Sequence, residues 1–322
     1  MGAKVSIIMP CYNGAKTLRR AIKGVINQTY RPIEFILVND GSEDETDQIA
    51  NEMEEVILNA GIEFIYLKQQ NKGLGGAINT GLKYFTGDYL AWIDADDELL
   101  PESVRIRVAF LQENKEYGAV TSNAYIATEE NWNKPLGLIT DNIETNLQQK
   151  QFENLLVGES IFCSGCHLIR TEAFDYANPK RDIYESRYGQ NWQLLLPVYY
   201  HFKRGFINIP LYKYCVGQDN NMTAQIDKMS AEQLYTRRCE YLNIVRKTFE
   251  RIPRMTVQDK RKYWRIFSGD VSRNNLFTAI ENKDMGGYIK NSLKLIARNQ
   301  YKKEYFTYPV RLILKRIVIW RK

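Results

Sequence analysis

The chain has 322 residues, of which 44% are hydrophobic and 25% charged, a balance that can bury a sizeable core and excludes disorder over most of the length. Five cysteines (Cys11, Cys163, Cys166, Cys215 and Cys239), an odd number in so long a chain, exclude a disulfide scaffold and point to a reducing compartment, the cytoplasm. Net charge is +6, no stretch of about 18 uncharged apolar residues is present, and Met1 to Pro10 is too short an apolar run for a signal peptide, so a soluble or peripheral chain is expected.

In chain order, short apolar runs alternate with helical patterns. VSIIMP, IEFILVND, EFIYLK, DYLAWID and GAVTSNAYI read as strands, and AKTLRRAIKGVINQ and PESVRIRVAFLQEN read as helices. This alternation predicts an α/β fold with a mostly parallel sheet flanked by helices, its strands nearly continuous in apolar residues because both faces are covered. Ser42 and Glu45 have capping-box spacing, and Pro101 suits a first helical turn. Past about residue 224 the pattern turns helical and basic. We therefore expect a boundary there, between an α/β domain over 1–223 and a helical extension over 224–322.

Polar residues gather where strands hand over to helices: Pro10 to Asn13, Asn39-Asp40, and Asp94, Ala95, Asp96 and Asp97. In open α/β sheets, ligands bind at that edge. Clustered carboxylates in a partly dehydrated crevice raise each other's pKa unless a cation intervenes, and a short D-x-D suits Mg²⁺ or Mn²⁺ shared with substrate phosphates. Helix capping by the same acids is the plainer alternative.

Other sites are disfavoured by spacing. Ile78 stands where G-x-G-x-x-G after Gly73 and Gly75 requires a glycine, and Gly76 to Lys83 does not meet the Walker A spacing. Cys163 and Cys166 lack a second pair, and His167 and His201 are the chain's two histidines, so no zinc set is expected.

Four segments, VSIIMPCYNGAKTLRRAIKGVINQTY, FILVNDGSEDET, NKGLGGAINTGL and AWIDADDELLPESV, together resemble glycosyltransferase family 2, in that family's order and over roughly the first 115 residues. The resemblance implies a GT-A fold and inverting transfer from a nucleotide-sugar donor, with residues 1–223 as the catalytic domain, a nucleotide-sugar half to about 125 and an acceptor half from about 126. It implies that Tyr12 lies against the base, that Asp40 accepts a pyrimidine imide N–H, which favours UDP or dTDP, and that Asp94 and Asp96 contact donor sugar and metal. Pro10, Asn13, Lys72, Asn79 and Ala95 belong to the same expected donor site. Many relatives carry arginine where this chain has Ile78, and Lys72 is a candidate to replace its charge.

Inversion needs a base for the acceptor hydroxyl. In the resemblance this is an acidic pair before a Trp-containing helix, but here ESRYGQNWQLLLPVYYHF places Gln190-Asn191 at that point. Three readings stand. Glu185 or Asp182 supplies the base, or Gln190 and Asn191 position the acceptor while another group takes the proton, or the chain binds a donor without efficient transfer. Trp192 is expected in the core, and Cys163-Ser164-Gly165 is a weak contact candidate. The acceptor implied is a glycan or lipid-linked glycan, as in bacterial surface polysaccharide assembly.

From Lys290 onward ten basic side chains face the single acid Glu304. In YPVRLILKRIVIWRK, Arg311, Lys315 and Lys322 share one helical side and Val310, Ile313, Leu314 and Ile317 another, which suits either an anionic membrane surface, the inner face of the plasma membrane, or packing on the catalytic domain. No motif for nucleic acid accompanies the charge.

Overall fold

The computed structural model describes residues 2–217, 226, 228–298, 300 and 302. The first half alternates strictly: β1 (Val5–Cys11), α1 (Leu18–Ile26), β2 (Ile33–Asn39), α2 (Thr46–Asn59), β3 (Glu63–Lys68), α3 (Gly73–Leu82) and β4 (Tyr89–Trp92). β1 pairs in parallel with β2 and β4, and β2 with β3. The expected parallel sheet is therefore present, with β1 at its centre. Every residue of β1 and β2 is buried, as helices on both faces require. Leu18, Ala21, Ile22 and Val25 recur at helical spacing and form the face that α1 lays on this sheet.

The chain continues through β5 (Glu98–Leu99), α4 (Ser103–Glu113), β6 (Tyr117–Ala127), β7 (Gly137–Leu138), α5 (Ile143–Leu147), α6 (Phe152–Leu156), β8 (His167–Arg170), α7 (Thr171–Ala177), α8 (Gln190–His201) and β9 (Lys203–Cys215). Here the pairing changes. β8 enters between β4 and β6 antiparallel to both, β9 runs parallel to β6, and β5 pairs antiparallel with β9. The sheet order is β3-β2-β1-β4-β8-β6-β9-β5, with β7 on β6. A single buried turn, Ser164–Cys166, precedes β8.

Two local expectations change. The capping box does not form, because α2 starts at Thr46 and the Ser42 hydroxyl instead accepts the Asn13 N–H at 2.9 Å. Pro101 precedes α4 rather than opening it, since the helix begins at Ser103.

Beyond Cys215 the described residues form helices: α9 (Ala231–Arg251), α10 (Val257–Glu281) and α11 (Met285–Ala297). The chain packs as two units, one taking residues up to Asp227 together with Asn243–Met255, the other Lys228–Leu242 and the residues from Thr256 onward. Residues 243–255, within α9 and the turn after it, belong to the first unit. In the second unit Leu276 and Leu295 are buried together with Phe277, Ile280 and Tyr288 packed around them. Side-chain caps start both of its later helices, Thr256 accepting from the Asp259 N–H and Asp284 from the Gly287 N–H. The basic segment from Tyr308 to Lys322 lies outside the described residues. No helix among the described residues is long and apolar enough to cross a membrane.

Candidate active site

Backbone hydrogen bonds level the strand ends with one another. Asp40 N donates to Cys11 O at 2.8 Å, Gln69 N to Asn39 O at 3.0 Å, and Ile93 N to Ile8 O at 3.0 Å. The loop after β1 is stapled to the loop after β2. Asn13 takes a left-handed conformation, φ 52°, and its Oδ1 accepts the Glu43 N–H at 2.8 Å while its own N–H reaches Ser42. Gly14 N donates to Thr46 Oγ1 at 2.9 Å. Pro10 is buried at the end of β1, whereas Tyr12 stands half exposed with 49% of its surface open. Asn13 thus shapes the loop, and Tyr12 is its protruding face.

Asp40 is 2% exposed, and its Oδ1 accepts both from Gln69 Nε2 at 2.6 Å and from the Lys72 N–H at 2.9 Å. Both bonds fall on one oxygen, which leaves Oδ2 without either of them. The carboxylate is fixed in orientation by its own chain.

After β4 the acids divide. Asp97 is 1% exposed, and its oxygens accept from Tyr212 Oη at 2.7 Å and from Cys215 N at 2.7 Å. It is a strut tying this loop to β9, and burial and then its two acidic neighbours push its carboxyl well above the usual range. Asp94 and Asp96 remain partly exposed. Asp94 Oδ2 accepts from Ser164 Oγ at 2.8 Å; burial raises its carboxyl and that hydrogen bond opposes the rise. Burial and then Asp94 push Asp96 up to about 7. Between them, Ala95 packs against Gly14, where an added Cβ would stand 3.8 Å from the Ala95 Cβ. The D-x-D loop and the β1 loop are neighbours.

A cation reaches the backbone of this loop rather than its carboxylates. Arg20 on α1 donates to Asp96 O at 2.7 Å, forks onto Glu129 at 2.7 and 2.6 Å, and lies 3.6 Å over the Trp132 ring. Trp132 Nε1 donates to Glu98 Oε2 at 2.8 Å, so the loop carrying Glu129 and Trp132 is strapped beside the D-x-D. Two mutually repelling, partly exposed carboxylates offer hard oxygen donors to Mg²⁺ or Mn²⁺, and the donor set fits such an ion. Among the described residues no three His, Cys, Asp or Glu side chains gather into a complete metal cage, so further ligands would come from outside the protein.

The third motif forms α3. Asn79, expected at the donor, is 8% exposed and spends its side chain on the backbone of one residue: Nδ2 donates to Ile183 O at 2.9 Å and Oδ1 accepts from Ile183 N at 2.7 Å. It clamps the segment before α8. The glycines serve the same docking, since Gly75 N donates to Ser186 O at 3.0 Å and a Cβ on Gly75 would come within 2.9 Å of the Ser186 backbone. Gly73, at φ 74°, lies against Arg187. Ile78 is 1% exposed, so an arginine's charge is not replaced on its face of α3; exposed Lys72 and Arg187 bring charge to the first turn instead.

The residues at the expected base position are amides held in place. Asn191 Oδ1 accepts from Trp92 Nε1 at 2.7 Å, and its Nδ2 donates to Phe162 O at 2.6 Å. Gln190 is 6% exposed at the start of α8. Trp192 is partly exposed rather than fully buried, its ring centroid 5.0 Å from that of Phe162. Asp182 pairs with Arg251 at 3.4 Å, while Glu185 is exposed beside the segment docked on α3. Sequence reasoning missed Arg20, Glu129, Trp132, Tyr212 and Arg187, whose roles arise from long-range contacts with no local spacing to announce them.

Residues 6–176, more than half of the chain, match the family description Glycosyl transferase family 2. The chain belongs to glycosyltransferase family 2. This family 2 chain is 43% identical over 107 residues to an uncharacterised glycosyltransferase of Rickettsia prowazekii, covering 33% of the chain and 31% of that relative. It thus spans about a third of that relative's length. EpsE of Bacillus subtilis, which carries the name of a glycosyltransferase, is 29% identical over 220 residues, 68% of the chain and 75% of EpsE. The fold matches Staphylococcus aureus TarS 1–349 in complex with UDP-GlcNAc, with TM-score 0.65, 17% identity, and coverage of 92% of this chain and 81% of that one. It also matches the mannosyltransferase PcManGT of Pyrobaculum calidifontis in complex with GDP-Man and Mn²⁺, with TM-score 0.55, 14% identity, and coverage of 96% and 84%. The GT-A expectation is borne out.

Proposed function

We propose that this chain is a metal-dependent, inverting glycosyltransferase that moves a hexose-type sugar from a UDP-sugar to a glycan or lipid-linked glycan acceptor in bacterial surface polysaccharide assembly. The observation that carries the reading is the division of the acids after β4: Asp97 is locked inward while Asp94 and Asp96, partly exposed and mutually repelling, sit beside the β1 loop. Asp94 and Asp96 would hold Mn²⁺ or Mg²⁺, whose charge neutralises the leaving diphosphate. PcManGT was solved with Mn²⁺, and TarS with UDP-GlcNAc, which agrees with such a donor site.

The chain's own groups divide the remaining work. Asp40, oriented by Gln69 and Lys72, presents Oδ2 to an imide N–H and so favours uracil over bases that lack a matching donor. Tyr12 gives the base a stacking face. Lys72 and Arg187 set positive charge beside the diphosphate. Glu185, exposed and with no hydrogen bond or ion pair among the described residues, takes the acceptor proton, because the amides of Gln190 and Asn191 have no usable basicity.

A second reading is favoured by Gln190-Asn191 itself: a nucleotide-sugar or carbohydrate-binding protein derived from the same fold. Calorimetry of UDP binding with Mn²⁺ tests the shared donor site, and undiminished affinity in Asp96→Ala would remove the metal assignment. Manganese-dependent turnover of a panel of UDP-sugars separates the two readings. Turnover lost in Asp94→Ala supports the enzyme, and no turnover with any donor leaves the binder. Near-normal turnover in Glu185→Gln would exclude Glu185 as base.

A further inference from the structure

Helix α11 presents an uncovered apolar stripe. Met285, Ile289, Leu293 and Ile296 are 67%, 52%, 60% and 53% exposed, although each is a large apolar side chain. At 3.6 residues per turn they fall within an arc of roughly 80°. The flank of the helix next to Met285 is the packed one, with Asn291, Ser292 and Leu295 buried. The exposure sets this helix apart from the two before it, since over α9 and α10 together Val257 is the one large apolar residue exposed among the described residues. Scattered exposed apolar residues need no explanation, but a contiguous row does.

Charge identifies what the row faces. Lys290, Lys294 and Arg298 occupy a further arc of roughly 80° that begins about 60° past Leu293, on the flank away from the packed one, and α11 contains no acidic residue. Burial lowers the Lys294 ammonium from its ordinary range, and Lys290 and Arg298 lower it further by repulsion, so the three cations form one cluster. An apolar row edged by cations with aliphatic stems is the pattern of a helix lying in a lipid interface, its apolar face sunk among acyl chains and its charges at anionic headgroups. Self-association about a two-fold axis would set the same basic row against its own copy, which electrostatic complementarity disfavours.

We propose that helix α11 is a docking surface for an anionic lipid bilayer, with Met285, Ile289, Leu293 and Ile296 entering the interface and Lys290, Lys294 and Arg298 binding the headgroups. The surface belongs to the second unit and is independent of the donor-site assignment.

The test is co-sedimentation of the full chain with phosphatidylcholine vesicles, with and without phosphatidylglycerol. Wild type is expected to pellet with the anionic vesicles and to be released by salt. Ile289→Ser with Leu293→Ser, and separately Lys290→Glu with Lys294→Glu, each lower the partition coefficient by about tenfold, with circular dichroism and UDP affinity unchanged. Failure of the wild type to pellet overturns the proposal, as does unchanged partitioning of both variants, which would place the lipid contact elsewhere in the chain. Concentration-dependent dimerisation without vesicles that Ile289→Ser with Leu293→Ser abolishes would overturn it in favour of a self-interface.

Discussion

Trp92 donates its indole N–H to Oδ1 of Asn191 at 2.7 Å, and the other end of that amide donates to Phe162 O at 2.6 Å. One side chain from α8 thus joins the end of β4 to the segment that leads into Ser164, whose hydroxyl donates to Asp94. An amide satisfies this site because it needs an acceptor on one side and a donor on the other. A carboxylate would set an oxygen against the Phe162 carbonyl. Asn191→Asp is therefore expected to lower stability by about 1–3 kcal/mol in urea unfolding near neutral pH. Unchanged stability would mean that the pair of bonds contributes little.

Arg187 is held against Gly73 and stands exposed near Lys72 at the start of α3, a helix with no acid in its first turn. Arg187→Ala should weaken UDP binding by about 1 kcal/mol, roughly fivefold in Kd, with the loss shrinking at high salt and thermal stability unchanged. Calorimetry at two salt concentrations checks this.

Gly165 lies against the ring of Tyr212, and a Cβ there would meet ring carbons at 2.0 and 2.1 Å. The ring cannot yield cheaply, because it is fully buried and its hydroxyl is bonded to Asp97. Gly165→Ala is expected to lower stability by about 2–4 kcal/mol and to weaken Mn²⁺-dependent UDP binding by moving the acidic loop. Gly137→Ala, with nothing within 4 Å of the added atom, is the matched control and should stay within about 0.5 kcal/mol.

His167 is fully buried, stacked on Trp92 and bonded through Nδ1 to Thr121 Oγ1 at 2.9 Å. Burial, then Arg204 and Arg107, hold its imidazole well below the ordinary range, so it is neutral in the fold. The unfolded chain takes up a proton below about pH 6.5 that the native state refuses, and the stability tied to this residue is lost as pH falls through that value. Asp96, raised to about 7, acts in the opposite sense. The comparison is therefore between wild type and His167→Gln, and the stability difference should move against wild type by up to about 1.4 kcal/mol per pH unit between pH 6 and 5. A constant difference would show that His167 protonates in the native state.

The α/β alternation, a mostly parallel sheet and the family were legible in the sequence, because apolar period and strand-to-helix handover are written in residues a few positions apart. VSIIMP and IEFILVND could serve only as buried strands, and their carboxyl ends had to carry the polar loops. What each polar residue does there was not local. Asp97 differs from Asp94 and Asp96 because Tyr212 and Cys215, more than a hundred positions away, take both its oxygens. Asn79 became a clamp because Ile183 docks on it, Asn191 because Trp92 and Phe162 do. A buried polar group goes to whichever partner the completed fold brings within hydrogen-bond reach, and that choice exists only once the distant strands have been packed together.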